Sequence, residues 1–259
     1  MNNYNQQEFS DYTVINSQQA TGTGTVAKKF VANVFAWMFV ALGISALFAV
    51  LFTYNADLRS VMFETHMLRS GVLATGMTGL GMFISFVPIV FVLVMSFAFQ
   101  RLSAPLLTLF FLLYATTMGM SLSVLLFVYT TSSVVGCFGA ASVMFGVMAF
   151  MGYTTEKDLT SFGRLLTMGL IGILVASLIN MFMHSSGMSY IISIVGVAVF
   201  TGLTAYDTQK IKRIGAGLEY EGTSANDTKK LALMGALNLY LDFINLFIML
   251  VRLFGDRRN

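Results

Sequence analysis

The stretch LALMGALNLYLDFINLFIMLV, Leu231 to Val251, carries one charged side chain, Asp242, in an otherwise apolar run. A helix needs about 20 apolar residues to cross a hydrocarbon core of about 30 Å, so the run is long enough to span. An ionisable group in such a place is costly in lipid, and it normally faces a bundle interior or a water-filled path. Asn238 and Asn245 stand at i−4 and i+3 from Asp242, so the three polar residues share one helical face. A lone lipid-facing helix would not present that stripe. The polar stripe therefore predicts that the run belongs to a helix bundle or lines a water-filled path.

The rest of the chain supplies the bundle. Charge-free runs extend from Phe30 to Ala56, from Ser70 to Gln100 (interrupted by Pro88), from Leu102 to Thr155, and from Leu165 to Tyr206. The third divides at the polar patch Thr130–Ser133 and the fourth at His184–Ser186, which gives seven spans in all. Transmembrane β-strands would alternate polar and apolar residues in segments of about ten, and these solid runs do not. The fold class expected is all-α integral membrane. Gly136 with Ala140, and Gly169 with Gly172, are small residues of the kind that let helices approach closely in lipid.

Composition excludes several alternatives. Hydrophobic residues make up 56% of the 259 and charged residues 10%, against about 25% charged in soluble domains. A net charge of +3 gives no ground for nucleic-acid binding. Cys137 is the sole cysteine, so there is no internal disulfide, and His66 and His184 have no cysteine cluster to join in a zinc site. The 18 methionines read as packing between helices. Residues 1–28 are polar, lack an apolar signal core, and are expected to form a disordered tail. The transmembrane domain is placed at 29–255 and a short basic C-terminal tail at 256–259.

Lysines and arginines in short loops set orientation. With the N-terminus cytoplasmic, the inner side receives Lys28, Lys29, Arg101, Lys157, Arg164, Lys210, Lys212, Arg213, Lys229 and Lys230. The outer side receives Arg59, Arg69, Arg252, Arg257 and Arg258. The basic C-terminus is discordant and leaves open a last segment that re-enters.

Asp207 lies near the cytoplasmic end of the sixth run, with Thr204 and Thr201 below it at steps of three. With a sixth helix ending near Gly215 and a seventh starting at Leu231, the two aspartates come level after a slide of about 5 Å. Residues 209–230 read as a solvated, lysine-rich loop. Two carboxylates meeting in low dielectric cannot both ionise cheaply, so they would share a proton. Singly protonated, the pair is hydrogen-bonded and closed; doubly ionised, it repels and opens. Ionised oxygens also suit calcium, a hard cation. Arg101, in the turn between the second and third spans, is a candidate latch for a released carboxylate.

Tyr206-Asp207-Thr208-Gln209, Asn238-Leu239-Tyr240-Leu241-Asp242-Phe243-Ile244-Asn245-Leu246-Phe247, and Thr155-Glu156-Lys157-Asp158-Leu159-Thr160 resemble the Bax inhibitor-1 family, also called the transmembrane BAX inhibitor motif family. The resemblance runs from about Val26 to Gly255. It implies seven helices with the C-terminal one central, surrounded by the other six. It also implies a pH-sensitive calcium leak in which Asp207 and Asp242 form the proton-sharing pair and lie on the calcium pathway, with Arg101 as latch. The family's bacterial members sit in the inner membrane. The long connection from Lys210 to Lys230 and the single basic residue at the Arg101 turn depart from the family pattern.

Other classes compete with the leak. Intramembrane aspartyl proteases place Gly-x-Gly before the second aspartate, whereas Leu239, Tyr240 and Leu241 precede Asp242 here, so no enzyme is expected. A retinal protein needs a lysine within the last span, which has none. A proton-coupled solute transporter, and a regulatory partner of a membrane protein such as a membrane-anchored protease, remain as alternatives. No cofactor is expected, calcium being the transported ion. The partners expected are the lipid bilayer, calcium ions, protons and a membrane-protein partner.

Overall fold

The computed structural model describes residues 24–67, 73–221 and 224–258. Among these are seven helices long and apolar enough to cross a membrane. They are α1 (Thr25–Tyr54), α3 (Gly79–Phe97), α4 (Ala104–Val128), α5 (Thr131–Thr154), α6 (Thr160–Met183), α7 (Ser186–Glu221) and α8 (Ala225–Phe254). A short helix α2 (Ala56–Met62) and an antiparallel pair, β1 (Phe63–Met67) and β2 (Leu73–Met77), join α1 to α3. The charge-free run that begins at Ser70 therefore holds β2 as well as a span. Apolar content alone does not tell a short strand from the start of a helix.

Local chemistry explains the breaks. The Asn55 side chain accepts from the Asp57 and Leu58 amides, which ends α1 and caps α2. Thr78 caps α3 by accepting from the Gly81 amide at 2.8 Å. Proline stands in the first turn of α4, where its missing donor is harmless. At the His184 break the backbone enters the left-handed region, φ 52°. There the Asn180 amide group binds both the Ser185 N–H and the Ser189 hydroxyl, so α6 turns directly into α7.

Two boundaries differ from expectation. Residues 25–28, assigned to the polar tail, already form the first turn of α1; residues 1–23 lie outside the described residues, as does Arg69. The supposed loop 209–230 is almost wholly helical, since α7 continues to Glu221 and α8 begins at Ala225. A charge marks where hydrocarbon ends, whereas a helix continues for as long as its neighbours support it. The aspartate stagger survives this correction. Asp207 lies about 21 Å from the end of α7 and Asp242 about 26 Å from the start of α8, at 1.5 Å per residue.

The last segment crosses fully. Beyond α8 the chain pairs with the α4–α5 turn: the Arg258 amide donates to the Val128 carbonyl and the Thr130 amide to the Asp256 carbonyl, each at 2.9 Å. The tail placed at 256–259 is thus docked over 256–258, at the end of the bundle opposite the start of α1.

α8 is the most buried span. It packs chiefly on α1, α4, α5 and α7, whereas α3 packs on α4 and α6 on α7. Four neighbours, not six, make up its principal surroundings. The Ser45 hydroxyl donates to the Ala115 carbonyl at 2.7 Å, so the Tyr240 hydroxyl, 2.7 Å away, donates to Ser45 and fixes α8 to α1 and α4. Phe243 meets Phe138 and Phe145 of α5 edge-on, with centroids 5.3 and 5.6 Å apart.

Candidate functional site

Antiparallel α7 and α8 bring Asp207 and Asp242 together, close enough for each carboxyl group to act on the other electrostatically. Asp242 is 5% exposed and Asp207 half-buried. Oδ2 of Asp242 is buried and has no donor among the described residues. A buried polar atom without a partner is rare enough to require a physical reason. Two facing carboxylates supply one, because they have acceptors and no donor until a proton sits between them.

Two glycines seat this part of α7. Gly152 of α5 lies under the Ala205 carbonyl, and Gly163 of α6 lies under the Tyr206 ring; a β-carbon at either would overlap those atoms. Neither was singled out in the sequence. Of the small residues that were, Gly169 meets Val199, while Gly136 and Gly172 face open space.

The Thr155–Thr160 stretch and the Tyr206–Gln209 stretch prove to be one construction. Gln209 donates to the Lys157 carbonyl at 2.8 Å and accepts from the Leu159 amide at 2.9 Å. Arg213, one turn on, pairs with Asp158 at 2.7 Å and donates to the Thr160 hydroxyl at 2.9 Å. The Thr160 hydrogen bonds, with the Arg213 guanidinium, hold the exposed Asp158 carboxyl well below the usual carboxylate range. The α5–α6 connection is thereby tied to α7 directly beyond Asp207. A Gln at i+2 and an Arg at i+6 from the aspartate was the available signal, but nothing local named their partners 50 residues away.

The other proposed site residues are placed less favourably. Asn238 and Asn245 are partly exposed on the stripe that runs beside Asp242, and neither makes a side-chain hydrogen bond to it among the described residues. Thr204 is fully buried, but its hydroxyl turns back to the Phe200 carbonyl at 2.8 Å. Arg101 is exposed in the α3–α4 turn; the charged groups that act on Asp207 are Lys210 and Asp242. The turn itself is held to α8 through Phe99, whose ring lies 5.0 Å from the ammonium of the buried Lys230. Among the described residues, no group of three or more His, Cys, Asp or Glu side chains converges as a metal cluster would.

This arrangement can be set against known proteins. The inner membrane protein YbhL of Escherichia coli K12 is 39% identical over 229 residues, which cover 88% of this chain and 92% of YbhL. An uncharacterised protein of Borreliella burgdorferi is 41% identical over 236 residues, 90% of this chain and 94% of its own. One from Rickettsia prowazekii is 37% identical over 232 residues, covering 90% and 91%. The family model described as "Inhibitor of apoptosis-promoting Bax1" matches residues 27–259, which takes in all seven spans and both aspartates. The chain is an integral membrane protein and belongs to that Bax inhibitor-1 family.

Proposed function

We propose that the protein is a pH-sensitive calcium leak, a passive cation pathway alongside α8 whose gate is the Asp207–Asp242 pair. The observation that carries this reading is the buried Asp242 oxygen with no donor, facing a second carboxylate across the α7–α8 contact. Thr201, two turns before Asp207 on α7, has the other buried side-chain oxygen without a partner among the described residues. Unsatisfied oxygens on the two helices of the pair suit a route that a cation enters transiently. Two carboxylates fall short of the six to eight oxygens of a resident Ca²⁺ site, so calcium is read as cargo and no cofactor is assigned. No residue is assigned a catalytic role.

The charged groups that act on the gate are Asp207, Asp242 and Lys210. With one proton shared, the carboxyls hold α7 against α8. When both are ionised they repel, and Lys210 at the helix surface remains to attract the freed Asp207. Flux is therefore expected to rise with pH. Arg101 becomes a latch in this scheme only if opening swings Asp207 toward the α3–α4 turn.

YbhL is named an inner membrane protein, and the same location is proposed here. All ten basic residues counted as inner at the outset lie at the end of the bundle where α1 begins, which favours a cytoplasmic N-terminus.

The test is calcium entry into indicator-loaded proteoliposomes across a pH series. The intact protein should pass calcium faster as pH rises, and Asp207→Asn with Asp242→Asn should flatten that dependence. An unchanged profile in the double variant would remove the gate.

A further inference from the structure

α1 and α5 both pack on α8 but make no substantial contact with each other, which leaves a cleft between them open to the bilayer. The cleft is a cavity of about 690 Å³ walled by Phe35 and Phe39 of α1 and by Phe145 and Phe150 of α5, with Phe243 as its floor. A second cavity of about 200 Å³ continues it, sharing Leu42, Ala46 and Phe138. Gly43 and Gly146 line the first cavity from opposite walls, and a β-carbon on either would meet nothing within 4 Å. From Val31 to Ala46 the wall runs about 22 Å at 1.5 Å per residue, more than half of a hydrocarbon core about 30 Å thick. The volume lies in the range, about 300–1,000 Å³, of sites that enclose one small molecule. Three turns of a helix about 10–12 Å across would not fit.

Charge marks one mouth of the cleft. The Lys212 ammonium lies 5.2 Å above the Tyr153 ring and donates to the Tyr153 carbonyl at 2.8 Å, and Tyr153 lines the cavity. Across the cleft, Lys28 is exposed in the first turn of α1, on the helical face of Val31, Phe35 and Phe39. Two cations over an apolar slot complement an anionic headgroup joined to a long alkyl chain, and in a bilayer the abundant molecules of that kind are anionic phospholipids. We propose that the α1–α5 cleft is a binding site for an anionic phospholipid, with one acyl chain lying against Phe243 and the phosphate between Lys28 and Lys212. An acyl chain seated there touches α8 one residue from Asp242, so the bound lipid belongs to the packing that holds α8 in register. The site is independent of the calcium reading and is tested without measuring flux.

Native mass spectrometry of the full-length, delipidated protein, titrated with phosphatidylglycerol or with phosphatidylcholine of identical chains, reads it directly. One phosphatidylglycerol per chain should be retained about 25-fold more tightly, at about fivefold for each lysine beside an anionic headgroup. Lys28→Gln with Lys212→Gln should abolish the preference. Gly43→Leu with Gly146→Leu, which fill the slot, should lower retention of both lipids. Equal retention of the two lipids by the intact protein, or leucines without effect, would overturn the site. Phosphatidylglycerol carrying a photoactivatable acyl chain supplies a readout that needs no variant: labelling concentrated on α1 and α5 supports the cleft, and labelling spread evenly onto α3 and α6 refutes it.

Discussion

α6 and α8 are both helices long enough to cross a bilayer, and they differ in the direction opposite to that of a soluble protein. α6 has the higher mean hydropathy of the two, yet 11% of its most apolar window is buried inside the protein, against 72% for α8, the least apolar span of the seven. Water drives apolar residues inward, but lipid tails are as apolar as leucine and exert no such drive. Here the helix that carries the mid-span carboxyl group goes inside, and the more apolar one faces the tails. Hydropathy therefore locates spans, while departures from it locate the interior.

The sharpest way to break this comparison is a matched pair of truncations. Leu239→Ala on α8, where the side chain is fully buried, should leave a cavity that destabilises the protein by about 2–5 kcal/mol. Leu178→Ala on α6, where the side chain is 57% exposed, exchanges one lipid contact for another and should be nearly silent. Thermal unfolding in detergent measures both. Equal effects would mean that α6 is covered by something else.

Glycines sharpen the contrast at smaller amplitude. Gly152→Val must push α5 off the Ala205 carbonyl and should destabilise by about 1–3 kcal/mol, shifting the neighbouring Asp207 as it does so. Gly172→Val, which meets open space, should not. The same unfolding assay separates them, and a pH–flux profile reports whether the aspartate moved.

The smallest effect belongs to the surface. The native state holds the Asp158 carboxyl below its ordinary value of 3.8, so its contribution is fully present above that pH and is lost as pH falls below it. The intact protein should lose stability on acidification through that range more than Asp158→Asn does. The difference will be slight, since the ion pair is exposed to water. Parallel curves for the two proteins would show that the Asp158 ion pair adds nothing to what Gln209 and the Arg213–Thr160 hydrogen bond already hold.

Asp242 stood out because a carboxylate in an apolar run has few physical explanations, and the runs themselves were counted correctly because the bilayer imposes a length. The β1–β2 pair was missed because it lies inside an apolar run, where charge provides no punctuation. The helical extension over 209–230 was missed because its charges resemble those of a loop until Lys212, Arg213 and Lys230 are seen with their partners. Gly152 and Gly163 looked like any other small residues, because what they admit, the Ala205 carbonyl and the Tyr206 ring, lies on a different helix.

The amino-acid sequence by itself determined that this is a seven-span membrane protein with two aspartates on its last two helices, since hydrocarbon thickness and the cost of charge in lipid act on each segment separately. Tertiary structure alone decided that the aspartates face each other, that Arg101 of the α3–α4 turn is not among the charges acting on Asp207, and that α1 and α5 stand apart over Phe243. Those are facts about distances between helices. Helix packing sets them through close contacts whose two halves are far apart in the chain.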